Sequence, residues 1–138
     1  LRAMSSSTLA TEYVTDTMGL VLRIEKRKLG PIAKSIYDVA ESGSLSIHVP
    51  AMVFAEILYL SEKRKIEITL NEGADYLAKF PNRREYPMSL AVIQSSATIT
   101  DIGELHDRLI AGTAHLLNLA LITNDPEIQA SQFVRTIW

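Results

Sequence analysis

Apolar and polar positions along the chain follow two different periods. "EYVTDT" (Glu12–Thr17) is a short strand-like run ending at Asp16, and "MGLVLRIEKRKLG" then places Leu20, Val21 and Ile24 at helical spacing. Pro31–Ser42 repeats Ile32, Ile36, Val39 and Ala40 at that spacing, with Gly43 positioned to stop a helix. "LSIHV" returns to strict alternation, a strand closed by Pro50. Helices are predicted over Ala51–Lys63, Leu70–Phe80, Met88–Ala97 and Gly103–Asn118. "PNRREYP", charged and bounded by Pro81 and Pro87, reads as a loop. "LALIT" is a buried strand, Asn124-Asp125-Pro126 a turn and "QFVRTIW" a final strand. Strands alternating with helices predict an α/β fold on a mainly parallel sheet. No repeat or long linker divides the chain, so residues 12–138 are expected to form a single domain. Residues 1–11 are expected to be disordered or foreign to the natural chain, with a natural start at Met4.

Composition narrows the chemistry. The chain is 47% hydrophobic and 22% charged, enough apolar side chain for a core, and it has no cysteine. Disulfides, thiolate-bound zinc and a catalytic thiol are therefore excluded, and a reducing cytoplasmic location is expected. A net charge of -2 excludes coating nucleic acid by bulk charge, so any such contact must be local. The longest apolar run, "VPAMVFAEILYL", is broken by Glu56 and falls short of the ~20 residues of a membrane span. No membrane association and no signal peptide are expected.

Four acids stand in apolar company. Asp107 has Ile110, Ala111 and Ala114 on its helical face, and Glu56 has Met52, Val53, Tyr59 and Leu60. Asp16 and Asp125 end two apolar strands. In a parallel α/β sheet, strand C-termini and helix N-termini share one edge, where ligands bind. Each acid alone is explained by helix capping, a turn or the helix dipole. Together they raise an electrostatic problem: two carboxylates about 5 Å apart repel by about 3 kcal/mol at an effective dielectric of 20. No basic residue shares the apolar faces of Glu56 or Asp107. A hard divalent cation, Mg²⁺ or Mn²⁺, is the economical partner of an all-oxygen cluster.

At these residues the chain resembles a PIN-domain ribonuclease, and in size the toxin of a VapBC-type toxin–antitoxin pair. The matching pieces are "YVTDT", "AEILYL", "LHDRLIAGTA" and "LITNDPEI", in the family's order and spacing over Glu12 to Trp138. The resemblance implies a three-layer fold, a parallel sheet of about five strands between helices. It also implies a metal site of Asp16, Glu56, Asp107 and Asp125, with Asp107 rather than Asp101 or Glu104 as the third acid. The implied reaction is metal-dependent hydrolysis of RNA phosphodiester bonds. Asp16 and Asp107 would touch the metal, Asp125 would complete the site or act through water, and Glu56 would orient water or bind a second ion. Thr17 and Thr123 would support metal waters, and Glu127 is a marginal addition. The implied partners are an RNA substrate, a second copy of the chain and a small antitoxin. Leu20, Val21, Leu22, Ile24, Leu29, Ile32, Ile36 and Val39 supply the candidate interface of the homodimer. Gly112 stands where the family often has alanine, at some cost in helix stability.

The other signals are weaker. His106 and His115 are nine apart on one helix and so face opposite sides, which argues against a histidine metal site. Arg83 and Arg84 in the presumed loop, and Arg108 beside Asp107, are candidates to grip RNA phosphates. Two alternatives to a nuclease remain open at this stage. One is a PIN-fold module that binds without cutting. The other is a receiver-type signalling domain, which would need an aspartate after its central strand and a lysine after its last, where this chain has His48-Val49-Pro50 and ends in Trp138.

Overall fold

The computed structural model describes residues 10–138. The strands are β1 (Glu12–Thr15), β2 (Ser46–Pro50), β3 (Arg83–Tyr86), β4 (Leu121–Ile122) and β5 (Thr136–Ile137). The helices are α1 (Thr17–Ile24), α2 (Pro31–Glu41), α3 (Ala51–Glu62), α4 (Leu70–Lys79), α5 (Leu90–Ala97), α6 (Leu105–Leu117) and α7 (Pro126–Gln129). The strands form one sheet in the order β3-β2-β1-β4-β5, and every neighbouring pair is parallel. Parallel neighbours require long crossovers, which the helices provide. This is the α/β sheet that the alternation of strands and helices predicted. The expectation for residues 1–11 falls largely on residues 1–9, outside the described residues.

The sheet order places the site. From β1 the chain crosses to β2 on one side and later returns to β4 on the other. The order therefore reverses between β1 and β4, and a crevice opens beyond the carboxyl ends of two such strands. Val14 pairs with Leu121 and Thr15 with Ile122, so Asp16 and Thr123 follow side by side. The Asp16 amide donates to the Ile122 carbonyl at 3.1 Å, holding the end of β1 against β4.

The apolar spacings are realised as burial. Val14, Leu20, Val21, Ile47, Val49, Val53, Ile57, Leu121 and Ile122 are all completely buried. This corrects the candidate dimer surface. Leu20, Val21, Leu22, Leu29 and Ile36 belong to the core, Ile24 and Val39 pack partly against it, and only Ile32, 52% exposed, faces solvent. Among the described residues no helix is long and apolar enough to cross a membrane.

"PNRREYP" is not the expected loop. Arg83–Tyr86 form the edge strand β3, paired with β2 from Ile47↔Arg83 to Pro50↔Tyr86. Its one buried residue is Arg83, 2% exposed, whose guanidinium lies 5.2 to 5.7 Å from the rings of Phe80, Tyr76 and Tyr37. Nη2 donates to the Tyr37 carbonyl at 3.0 Å and approaches Glu41 at 3.5 Å. A strand whose only inward residue is an arginine carries no alternating apolar signal. At the other end, "QFVRTIW" contributes only Thr136–Ile137, and the Asn124-Asp125-Pro126 turn leads directly into α7.

Gly112 has a packing reason. A Cβ on it would lie 2.9 Å from Ser96 Cα, so its absence lets α5 and α6 touch. Ser95 Oγ completes the contact by donating to the Gly112 carbonyl at 2.9 Å.

Candidate functional site

Two of the four acids are set by helix capping. Asp16 caps α1, its Oδ1 accepting from the Gly19 amide at 2.8 Å. Asp125 caps α7, its Oδ1 accepting from the Glu127 amide at 2.8 Å and the Ile128 amide at 3.3 Å. In each case one oxygen satisfies orphan helix N–H groups and fixes the side chain rotamer, leaving the second oxygen for a ligand. The structural role and the candidate chemical role therefore coexist in the same carboxylate.

The other two acids enter from helices packed over the same edge. Asp107 lies in the first turn of α6, where the helix dipole favours negative charge. Its amide donates to Oε1 of Glu104, the cap of α6, at 2.9 Å. Glu56 lies one turn further into α3 than an end position and accepts a hydrogen bond from the Thr17 hydroxyl. Its predicted apolar surroundings are only half realised: Val53 is buried, but Tyr59 is 57% exposed. Thr17 and Thr123 hold carboxylates here. Thr123 Oγ1 accepts from the Asp125 amide at 3.1 Å, and its hydroxyl favours the charged form of Asp16.

Electrostatics shows that the four acids share one field. Burial, the largest cause, pushes Asp16 up to about 6, and the nearby charges of Glu56 and Asp125 add to it. Asp107 is pushed up to about 7, first by burial and then by the charges of Asp125, Glu104, Glu56 and Glu127. The charges that raise these two aspartates are those of other carboxylates. Carboxylate oxygens crowded in this way fit a hard divalent ion.

Glu104 and His106 extend the set found by sequence reasoning, and Glu127, a marginal addition there, lies on the same edge. Ligand atoms of Glu56, Glu104 and His106 lie within 4.8 Å of one another, and His106 Nδ1 is 3.1 Å from Glu104 Oε2. Glu127 touches the same edge through its Oε2, which accepts from the Gly103 amide at 3.3 Å. His106 carries no signal when the histidines are compared only with one another. The signal was available in Glu104-x-x-Asp107, which puts a capping acid beside the site acid, with His106 next in line. Asp101 is engaged elsewhere, accepting from Ser131 Oγ at 2.8 Å and the Gln132 amide at 2.7 Å.

The candidate phosphate-gripping arginines separate. Arg83 is enclosed and cannot meet RNA, which corrects that assignment. Arg84 is exposed on β3, and Arg108 is half-buried with its Nε unpartnered among the described residues.

The family model for the PIN domain matches residues 13–133. A search of curated proteins finds no match. Among solved structures, the chain is similar to one of VapBC2 from Rickettsia felis bound to a DNA fragment from their promoter, with 20% identity, a TM-score of 0.67 and coverage of 91% of this chain and 97% of that one. It is also similar to DNA-bound VapBC from Salmonella typhimurium, with 16% identity, a TM-score of 0.66 and coverage of 93% and 98%. A toxin-antitoxin complex from Klebsiella pneumoniae gives 16% identity, a TM-score of 0.64 and coverage of 91% and 96%. At these identities the likeness establishes a shared fold.

Proposed function

The chain belongs to the PIN domain family, and from that premise we propose that it is a metal-dependent endoribonuclease, the toxin of a toxin–antitoxin pair. The observation that carries the reading is the carboxylate field at the β1–β4 crevice, where Asp16 and Asp107 both feel the charges of Glu56 and Asp125. A site built from mutually repelling acids needs a cation, and phosphodiester hydrolysis is chemistry that such a cation serves.

Asp16, Asp107 and Asp125 would hold Mg²⁺ or Mn²⁺. The bound ion would supply Lewis acidity toward a phosphate oxygen and toward water. The remaining work falls to this chain. The Gly19 and Glu127 amides hold Asp16 and Asp125 in fixed rotamers, so little ordering remains to be done when a substrate arrives. Glu56, fixed by Thr17, would orient the attacking water and accept its proton. An antitoxin is the second partner in this reading, since the similar Klebsiella pneumoniae structure is a toxin-antitoxin complex.

The test is Asp107→Asn, which removes a charge and keeps the shape. Wild type is expected to cleave RNA in Mn²⁺ and to stop when EDTA is added. The variant is expected to cleave at least about a hundredfold more slowly. Equal cleavage by both proteins would remove Asp107 from the site. RNA left intact by wild type in both Mg²⁺ and Mn²⁺ would favour a PIN-fold module that binds without cutting.

A further inference from the structure

A nuclease whose reacting centre is a nest of carboxylates repels the polyanion it is to cut. Affinity must come from positive charge elsewhere, and Arg83, one candidate, is sealed in the core. On the reading that the substrate is RNA, we propose that a basic groove between α1, α2 and α4 is a second binding site for the RNA strand, separate from the acid pocket.

The groove has a volume of about 990 Å³. Six cations line it: Arg23, Lys26, Arg27, Lys28, Lys34 and Lys79. Those six are drawn from 14 basic residues in a chain of net charge -2, so the positive charge is concentrated here. Three of them are already engaged, Arg23 by Asp38 and Glu41, Arg27 by Glu25, and Lys34 by Asp38. Among the described residues Lys26, Lys28 and Lys79 have no carboxylate partner, and all three are exposed. Cations so placed await an anion.

Two further observations favour a nucleic-acid strand over an acidic peptide. Phe80 and Tyr76 also line the groove, their ring centroids 5.0 Å apart, and Lys79 Nζ stands 5.4 Å from the centre of the Phe80 ring. Aromatic faces interleaved with cations suit bases on a charged backbone. The second observation is the short distance between the groove and the acids. Helix α1 runs from its cap Asp16 in the pocket to Ile24 in the groove, a distance of about 12 Å for eight residues. Leu29 and Pro31 in the groove wall flank Gly30, which packs against Trp138, and Trp138 follows β5 at the same strand-end edge as the acids. A strand held in the groove thus needs only a few nucleotides to reach the crevice.

The test uses the triple variant Lys26→Gln, Lys28→Gln, Lys79→Gln, whose sites are all exposed and outside the acid pocket. Binding of a fluorescent oligouridylate of about 12 nucleotides is measured in EDTA, so that cleavage plays no part. For single strands each phosphate contact contributes about 0.7 to the slope of log affinity against log salt, so the variant's slope is expected to fall by about 2. Between about 50 and 200 mM salt, wild type should then lose roughly 20-fold more affinity than the variant. In Mn²⁺ the variant should raise KM for this RNA and leave kcat unchanged, while cleavage of a dinucleotide, too short to reach the groove, stays at the wild-type rate. Equal affinity and slope in both proteins, or no RNA binding by wild type, overturns the proposal. Loss of polyglutamate binding with RNA binding intact overturns it in favour of an acidic protein partner. If wild type binds RNA with the expected slope and cuts nothing, the nuclease reading fails while the groove stands.

Discussion

Asp16→Asn tests the physical premise of the site without an enzymatic assay. Asp16 is 7% exposed, and burial with help from Glu56 and Asp125 pushes its carboxyl from 3.8 up to about 6. The folded chain therefore holds this proton more tightly than the unfolded chain, and stability falls as pH rises from about 4 to about 6. Below that window the penalty is absent; above it the penalty is complete. At ~1.4 kcal/mol per pKa unit, the charged carboxylate costs the metal-free fold about 3 kcal/mol at pH 8 and about half of that at pH 5. Asparagine is neutral throughout and ranks with aspartate as a helix cap, so the bond from the Gly19 amide survives the change. In EDTA the variant should be more stable than wild type at pH 8, with a urea midpoint higher by about 1–2 M, and the gap should narrow by about half at pH 5. Excess Mn²⁺ should reverse the order, since an ion at a thousand times its Kd adds about 4.1 kcal/mol to whichever protein binds it. A variant no more stable than wild type at pH 8 without metal would refute the reasoning. So would a gap that ignores pH.

Two further outcomes can be checked on stability and assembly. Gly112→Ala should destabilise by about 1–3 kcal/mol in thermal or urea unfolding despite alanine's better helix propensity, because the added methyl meets Ser96 Cα at 2.9 Å; a neutral or stabilising effect would show that α5 and α6 can part freely. A homodimer cannot use the buried faces of Leu20, Val21 and Ile36, so it should depend on exposed apolar residues such as Ile93, 47% exposed, and Ile93→Asp should halve the mass seen by light scattering; a mass near 15.3 kDa for wild type already would remove the dimer.

What could be read from the sequence divides along physical lines. Strands such as "LSIHV" and helices such as Gly103–Asn118 announce themselves because burial requires apolar residues at a fixed period. The same requirement exposed the acids, since Asp107 interrupts a face made of Ile110, Ala111 and Ala114, all buried. Strand β3 was illegible because its buried position is filled by Arg83, whose charge is answered by three rings and Glu41 from distant parts of the chain. Glu104 and His106 were passed over for a related reason. Their proximity to Glu56 arises from α3 packing against α6, which no local spacing encodes. Leu20 and Ile36 could not be told from interface residues, because apolar content says that a face is buried and does not say against what.

The sheet order also bears on how the chain behaves while it is being made. The central strand β1 is synthesised early, but its second neighbour is β4, so one side of β1 lacks its partner until residues 121–122 appear. The same delay separates Asp16 from Asp125. At a synthesis rate of 5–20 residues per second, roughly five to twenty seconds pass between the two. During that interval the ribosome carries a chain with half a crevice and an open strand edge, exposed to mispairing yet without its full set of acids. If cleavage depends on both aspartates, translation itself acts as a timer. On the proposed reading as an RNA-cleaving enzyme, a chain abandoned before β4 would cut nothing, however well its first half had folded.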